Sequence, residues 1–261
     1  PDGLEFAEIK TRLHHHLGEP SAVLIHQTAT PPLDTIAVGF VTAQLALAPV
    51  AARTVIFGNS APRRDRHEMA TENRGRRLQY ARLRNDVEIV SVSSEFAFGF
   101  VKGEVAEYRE VISPDAGSQF RSRDFFPRRV AAIVDGDRSV LGAELDPATI
   151  EAAPPNLVAW TDGFGNIKTS MRRSHLRAAG YETEDRVLVT LNGVTLPGVV
   201  ADGGFTVERG MLAVSIGSSG YDDPFVELFL RVHHMSEKTA AVRFDFPDGG
   251  TPFEIRRLEK P

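Results

Sequence analysis

The sequence contains no cysteine and no long hydrophobic run, and both absences narrow the classes of protein to which it can belong. Without cysteine the chain has no disulfide, no thiolate nucleophile and no cysteine-ligated metal, which fits a reducing compartment. No apolar run approaches the roughly 20 residues of a membrane helix, and no signal peptide is visible. We therefore expect a cytoplasmic protein that does not contact a membrane.

A large excess of either charge is also absent. The formal net charge is -5 at pH 7, which gives no general attraction for nucleic acid or for an anionic membrane. The chain has 261 residues, of which 42% are hydrophobic and 25% charged. This length suffices for one large domain or for two medium domains that each bury a core of their own.

The commonest signatures of hydrolases, phosphate-binding loops and zinc sites are missing too. The sequence holds no Gly-x-Ser-x-Gly, no Gly-x-x-x-x-Gly-Lys and no His-Glu-x-x-His. The run His14-His15-His16 points three neighbouring rings in different directions on a helix, so they cannot share one metal ion. We expect neither a metal ion nor a cofactor.

The N-terminal part alternates helical patterns with short apolar runs. This rhythm indicates an α/β domain with a parallel sheet over residues 1–150. The arginine-rich stretch 62–84 is expected to be an exposed excursion. The predicted elements are helices over 6–17, 35–47 and 125–134, and strands over 22–26, 54–57, 87–92 and 96–101.

The C-terminal part, residues 151–261, has short apolar runs separated by glycine-rich turns. This pattern is typical of a small all-β domain, either a barrel or a sandwich. The proline-rich segment 145–157 is predicted to link the two domains. The predicted elements are strands over 158–160, 186–191, 198–200, 211–216, 225–232 and 240–246, and one helix over 172–179.

Residues 160–171 read Trp-Thr-Asp-Gly-Phe-Gly-Asn-Ile-Lys-Thr-Ser-Met and form the most informative stretch. The two glycines let the backbone approach a ligand closely, and Asp162 adds a carboxylate. Phe164 offers a stacking face, and Asn166 offers both a donor and an acceptor. The stretch is either a cradle for a small molecule or a β-turn between two strands with Phe164 in the core.

Several segments, taken in order, resemble the family of S-adenosylmethionine-dependent hydroxide adenosyltransferases, which includes the fluorinases and chlorinases. Residues 162–170 resemble the family's Asp-x-Phe-Gly-Asn-x-x-Thr-Asn signature. Residues 217–221 are similar to its Asn-Ser-x-Gly-Tyr loop, and residues 120–126 to its Thr-Phe-His-Gly-Arg-Asp-x-Phe stretch. Residues 54–66 occupy the place of a strand that ends in Val-Asp-Pro-Gly-Val-Gly and an arginine.

The resemblance implies an α/β N-terminal domain, a β-barrel C-terminal domain and a homotrimer with sites between neighbouring subunits. It also implies an adenosyl ligand, with S-adenosylmethionine as the substrate. Asn166 and the loop around Ser218 would lie near adenine. Phe205 would provide a stacking face, and Asp162 would point toward the methionine ammonium.

The residues that activate water in hydrolytic family members are Asp, Arg and His. The resemblance places Asn59 at the Asp position, Arg66 at the Arg position and Arg121 at the His position. Neither asparagine nor arginine accepts a proton from water near pH 7. Ser122 matches a serine of the fluorinase-type members, but polar Asn59 and the neighbouring Arg121 do not indicate a halide pocket.

The family's first strand carries an aspartate that holds the ribose, and this sequence, which opens at Pro1, begins after that point.

Three functions are compatible with these residues. The first is a divergent hydrolase in which water attacks C5′ of S-adenosylmethionine and releases methionine and adenosine. The second is a non-catalytic protein that binds adenosine or S-adenosylmethionine. The third is an enzyme for a different, anionic substrate, held by Asn59, Arg63, Arg64 and Arg121.

Overall fold

The chain divides into two units, residues 1–152 and 153–261, each with its own sheet and hydrophobic core. The computed structural model describes residues 3–18, 22–49, 53–60, 77–114, 120–231 and 239–258. The expected fold class is confirmed, because helices and a sheet form the first unit and a barrel-like sheet forms the second.

The sheet of the N-terminal unit has the strand order β1-β3-β2-β4-β5. Its elements are α1 (Leu4–Leu17), α2 (Thr35–Ala46), β1 (Val55–Gly58), β2 (Leu78–Leu83), β3 (Glu88–Val92), β4 (Val105–Val111), α3 (Arg121–Asp124), α4 (Phe126–Val134) and β5 (Leu141–Glu144). Strands β1 and β3 are parallel, and the other three pairs are antiparallel. The sequence predicts a parallel sheet, and this is wrong for most of it: the sheet is mixed, and of its four described strand pairs only β1–β3 is parallel.

Strand β3 is buried along its whole length because helices cover both faces of the sheet. On one face α1 and α4 contribute Leu13, Val130 and Ile133 to the core. On the other face lies α2, whose residues are mostly buried. A Cβ at Gly39 would lie 2.1 Å from the carbonyl oxygen of Phe96, so α2 needs glycine where it crosses the following turns.

The C-terminal unit is built on a seven-stranded sheet with the order β12-β8-β9-β10-β11-β7-β6. Its elements are β6 (Val158–Thr161), β7 (Ile167–Arg172), α5 (Arg173–Ala178), β8 (Arg186–Leu191), β9 (Val194–Ala201), β10 (Leu212–Ile216), β11 (Phe225–Leu230), α6 (Ala240–Arg243) and β12 (Phe253–Arg257). An antiparallel bridge joins Leu157 to Pro252, which precede the two edge strands. The sheet edges therefore meet, and the sheet curls toward a barrel.

Two strands expected in the N-terminal unit are absent from its described residues. Residues 22–26 form a loop without strand pairing, and Leu24 is 82% exposed. Residues 96–101 form consecutive turns in which Phe98 and Phe100 are buried. The backbone groups of these turns bond within the segment, so the rings are buried without strand pairing.

The expected strand over 240–246 is also wrong. Helix α6 begins there because the Thr239 side chain accepts a hydrogen bond from the backbone N–H of Val242 at 3.3 Å. A threonine in this position caps the first turn of a helix, and hydrophobic composition alone does not distinguish such a turn from a strand.

The expectation of an exposed excursion over 62–84 is wrong for its last part. Residues 78–83 form β2 in the middle of the sheet, with Leu78 and Tyr80 buried, while residues 61–76 lie outside the described part. Strands β4, β5 and β12 also lie where no strand was predicted, and β7 is expected only by the interpretation of residues 160–171 as a β-turn between two strands. Their charged residues obscure the apolar alternation. The other predicted helices and strands are confirmed at or near their expected positions.

The side chain of Glu88 ties the beginning of β3 to the end of α4. It is 4% exposed and lies between two arginines, with Arg53 Nη2 2.9 Å from its Oε2 and Arg138 Nη2 bonded to its Oε1. Arg53 also donates to the carbonyl oxygens of Ile133, at 2.7 Å, and Val134. The last carbonyl groups of a helix interact favourably with a cation. Glu88 therefore stabilises α4 by holding Arg53 next to these carbonyl groups.

We predict that Glu88→Gln lowers the free energy of unfolding of the N-terminal unit by about 1–3 kcal/mol, because two cations lose their shared carboxylate. Urea unfolding followed by circular dichroism measures the change. Glu104→Gln is the control, since the ion pair of Glu104 with Arg84 is exposed on both sides. Equal midpoints for the two variants would contradict the structural role of Glu88.

Candidate ligand-binding site

One carboxylate organises the turn between β6 and β7. Asp162 Oδ1 accepts hydrogen bonds from the backbone N–H groups of Phe164 and Asn166, each at 2.9 Å. Its Oδ2 accepts from Asn166 Nδ2 at 3.0 Å. The backbone N–H of Asp162 donates to Asn166 O at 3.0 Å, which closes the turn. The aspartate thus fixes the turn in the way that Asx turns do.

The turn is packed against the beginning of α6. Gly165 has φ +76°, and a Cβ added to it would lie 2.4 Å from Thr239 Oγ1. Its carbonyl oxygen accepts a hydrogen bond from the N–H of Ala241 at 3.0 Å. Glycine is therefore required at this position by both its backbone conformation and the close approach of α6.

Phe164 lies at the tip of this turn and is 68% exposed. The segment is a turn between two strands, as the second interpretation of the sequence expects, but the placement of Phe164 in the core is wrong. The five-residue turn is too short to fold the ring back, because its hydrogen bonds keep Asp162 and Asn166 together at its base. An exposed ring on a fixed turn is available to a ligand or a partner.

Three charged side chains next to this turn form a network that we call the charged triad: Asp162, Lys168 and Glu227. Lys168 Nζ lies 3.4 Å from Asp162 Oδ2 and is bonded to Glu227 Oε2. All three side chains are 14–15% exposed. The triad carries a net charge of -1 when its groups are ionised, because one ammonium faces two carboxylates.

The triad lies on the outer face of the C-terminal sheet, the face opposite the main core. Strand pairing places Trp160, Lys168, Glu227, Ser215 and Ala201 in one row across five strands. The residues that alternate with this row belong to the core of the unit, and Ile167, Val214 and Val226 are among them. The outer face thus combines charged and apolar side chains.

Phe205 covers the apolar part of the same outer face. Its ring centroid lies 5.2 Å from that of Phe229, two residues after Glu227 on β11, in an edge-on arrangement. Phe205 is nevertheless 78% exposed. Gly204 brings the chain close to this ring, since a Cβ there would lie 2.5 Å from Phe229 Cδ1. An aromatic surface therefore lies on the face that carries the triad.

The loop of residues 217–221 joins β10 to β11 beside the triad. Ser218 is exposed and Ser219 is buried. A Cβ at Gly217 would lie 3.6 Å from Glu227 Oε2, so the carboxylate of Glu227 lies at the base of this loop. Asp223, just beyond it, accepts hydrogen bonds from Ser174 N at 2.9 Å and Ser174 Oγ at 2.6 Å, which anchors the loop to α5.

In the structure, the substrate-binding residues expected from the sequence are therefore connected to one another, either directly or through a shared neighbour. Asp162 bonds Asn166 directly, Phe205 lies on the same sheet face, and the loop of Ser218 is connected through Glu227. Sequence reasoning missed Lys168 and Glu227. Their opposite charges carry no signal until β7 is paired with β11, which places the two residues opposite each other.

Asn59 and two serines lie at the carboxyl ends of the parallel strands in the N-terminal unit. Asn59 follows β1 and is exposed. Ser60 and Ser94, which follow β1 and β3, are each 7% exposed, and their hydroxyls have no hydrogen-bond partner within the described ranges. The carboxyl ends of parallel strands are where open α/β sheets bind ligands. Sequence analysis gives Asn59 a role by resemblance and assigns none to either serine.

Arg121 and Ser122 begin the short helix α3. Arg121 Nη2 donates to Pro114 O at 2.6 Å and to Ser113 Oγ at 3.4 Å, and its guanidinium lies 5.9 Å from the Phe126 ring centroid. These contacts hold residues 113–114 against the helix. Ser122 is half-buried. Arg66 lies outside the described residues, as do Arg63 and Arg64.

No protein-family model and no curated protein matches this sequence. Two solved structures are similar over almost the whole chain. An uncharacterised conserved protein from Thermotoga maritima has 20% identity and a TM-score of 0.71, covering 98% of this chain and 96% of its own. A conserved hypothetical protein from Thermus thermophilus has 19% identity and a TM-score of 0.64, covering 98% and 95%. These similarities establish the fold. Of the helices that the structure describes, none has the length and apolarity to cross a membrane.

We predict that Gly165→Ala destabilises the C-terminal unit by about 1–3 kcal/mol, because the new methyl group meets Thr239 in a left-handed backbone conformation. Gly163→Ala in the same turn is the matched control, since no atom lies within 4 Å of its Cβ position. Thermal unfolding of both variants measures the difference. A Gly165→Ala protein as stable as Gly163→Ala would show that the turn is not held against α6.

Proposed function

We propose that this protein binds S-adenosylmethionine, or a closely related adenosine compound, on the outer face of its C-terminal sheet. The observation that carries the proposal is the combination of exposed aromatic rings, Phe164 and Phe205, with Asn166 and the charged triad. An adenosyl sulfonium needs an aromatic or apolar wall for its base, polar partners and negative charge for its cationic groups.

The carboxamide of Asn166 is suited to an adenine amino group. Its Nδ2 donates to Asp162, which fixes the orientation of the amide. Its Oδ1 has no hydrogen-bond partner among the described residues, so this oxygen is the group that would accept a hydrogen bond from the exocyclic amine of the base. Phe205 would provide the stacking surface.

The reaction that we propose for the bound compound is hydrolysis at C5′. The oxygen of water forms a bond to C5′ while the bond from C5′ to sulfur breaks, and sulfur keeps the electron pair. Methionine leaves, and adenosine forms after the attacking water releases a proton to solvent. The sulfonium is already an activated leaving group, so in-line positioning and removal of water from the sulfonium supply most of the catalysis. As the resemblance implies, the assembly would be a homotrimer with its sites between subunits.

A second function, binding without turnover, is favoured by the residues at the positions of the water-activating set. Asn59 and Arg121 cannot accept a proton near pH 7. Arg121 is also occupied with Pro114 and Ser113. A protein of this second kind would retain the ligand unchanged. No contact among the described residues favours the third function, an enzyme for an anionic substrate.

Calorimetric titration with S-adenosylmethionine, followed by chromatography of the incubated mixture, separates these functions. The proposed hydrolase binds the compound and forms equal amounts of adenosine and methionine, and in ¹⁸O-labelled water the 5′-hydroxyl of adenosine carries the label. Binding without adenosine formation would establish the second function and exclude the proposed hydrolase activity. Absence of binding to S-adenosylmethionine, adenosine and 5′-methylthioadenosine would overturn the proposal as a whole.

We predict that Phe205→Ala weakens binding of S-adenosylmethionine and of adenosine alike, by about 5- to 100-fold, because both lose the stacking of the base. Phe246→Ala is the matched control, since Phe246 is a similarly exposed phenylalanine of the same unit, 69% against 78%. Calorimetry on both variants measures the two affinities. Equal affinities in the two variants would show that adenine does not stack on Phe205.

A further inference from the structure

Asp162 is poorly placed to bind a positively charged group of the ligand, although the family resemblance gives it that role. Its two oxygens already accept three hydrogen bonds from the turn and face the Lys168 ammonium. A ligand ammonium would have to displace Lys168 or a turn N–H. Displacing the N–H groups would open the turn that carries Phe164 and Asn166.

Glu227 has the free acceptor that Asp162 lacks. Its Oε2 is bonded to Lys168, whereas its Oε1 has no partner within the residues that the structure describes. Because this unpartnered Oε1 is not among the buried side-chain atoms that lack a hydrogen-bond partner, it keeps contact with solvent. A carboxylate that is 85% withdrawn from water and keeps one open oxygen interacts more strongly with a cation than a fully hydrated carboxylate does.

The position of Glu227 also suits the ligand. It lies on β11 between the base of the Ser218 loop, at Gly217, and Phe229, against which Phe205 packs. Phe229 follows Glu227 by two residues on one strand, so their side chains leave the same sheet face about 7 Å apart along the strand. A cationic group next to a stacked base would therefore be within reach of Glu227.

The charge of the surroundings favours a cation as well. One ammonium, that of Lys168, faces the two carboxylates of the charged triad, so a net charge of -1 remains on the pair of Asp162 and Glu227. The hydrogen bonds of the turn occupy both oxygens of Asp162 and thereby give the two acids different roles. Asp162 is held as the organiser of the turn, and Glu227 is left as the acceptor.

We propose that Glu227 is the specificity-determining residue that selects ligands carrying an amino-acid ammonium group. Its Oε1 accepts a charge-assisted hydrogen bond from this ammonium, and Lys168, which is bonded to Oε2, is the positioning residue that orients the carboxylate. This inference rests on the proposed function. It replaces Asp162 by Glu227 as the partner of the methionine ammonium.

The test compares Glu227→Gln with wild type by calorimetry against three ligands. S-adenosylmethionine carries a sulfonium and an ammonium, S-adenosylhomocysteine carries the ammonium alone, and 5′-methylthioadenosine carries neither. We expect Glu227→Gln to weaken both amino-acid ligands by about 10- to 100-fold and to leave 5′-methylthioadenosine unchanged. Glu227→Asp, which keeps the charge, should bind the amino-acid ligands better than Glu227→Gln. Glu254→Gln, on an exposed glutamate of β12, is the charge-matched control.

Each of the following results would contradict the inference, and each has a different cause. A loss confined to S-adenosylmethionine would show that the sulfonium, rather than the ammonium, contacts Glu227. An equal loss for all three ligands, with a lowered melting temperature, would assign Glu227 a structural role only. Unchanged affinities would exclude Glu227 as the partner of the ammonium and leave the proposed function intact. A wild-type protein that binds none of the three ligands would refute the proposed function itself.

Discussion

The carboxylate of Asp162 accepts three hydrogen bonds within its own turn, and the candidate site depends on this arrangement. It fixes Asn166 and exposes Phe164 at the tip. It also draws Lys168 to within 3.4 Å. Because Lys168 reaches Glu227 on the next strand, the local geometry of a five-residue turn extends across the sheet to the loop of Ser218. One acid therefore links the aromatic, amide and charged parts of the outer face.

The two units divide the expected functional residues unequally. The C-terminal unit holds a connected set of polar and aromatic groups on one sheet face, and this set suits binding. The N-terminal unit holds Asn59 and Arg121, whose side chains cannot remove a proton from water near pH 7. Its buried hydroxyls, Ser60 and Ser94, lie where an α/β sheet accepts ligands, but they are neutral groups. The arrangement of these residues therefore suits binding better than catalysis, and binding and turnover need separate measurements.

Features with a local cause could be predicted from the sequence. Asp34 caps α2, as its side chain accepts from Ala37 N at 2.9 Å, and the Asp-Gly-Phe-Gly-Asn sequence forms a turn. Features that depend on distant pairing could not. Lys168 and Glu227 are 59 residues apart, and only the register of β7 on β11 shows that they meet. Similarly, Phe164 is exposed because of the hydrogen bonds at the base of the turn, and the amino-acid composition of the turn does not predict this exposure.

A crystal structure of the protein with S-adenosylmethionine tests the proposed site most directly. We predict electron density for the ligand on the outer face, with adenine against Phe205, its amine at Asn166 Oδ1 and the ammonium at Glu227 Oε1. The Asp162 turn would be unchanged. Density at another surface would contradict the proposed function. A rotated Asp162 that binds the ammonium, with the turn opened, would contradict the division of roles between the two acids.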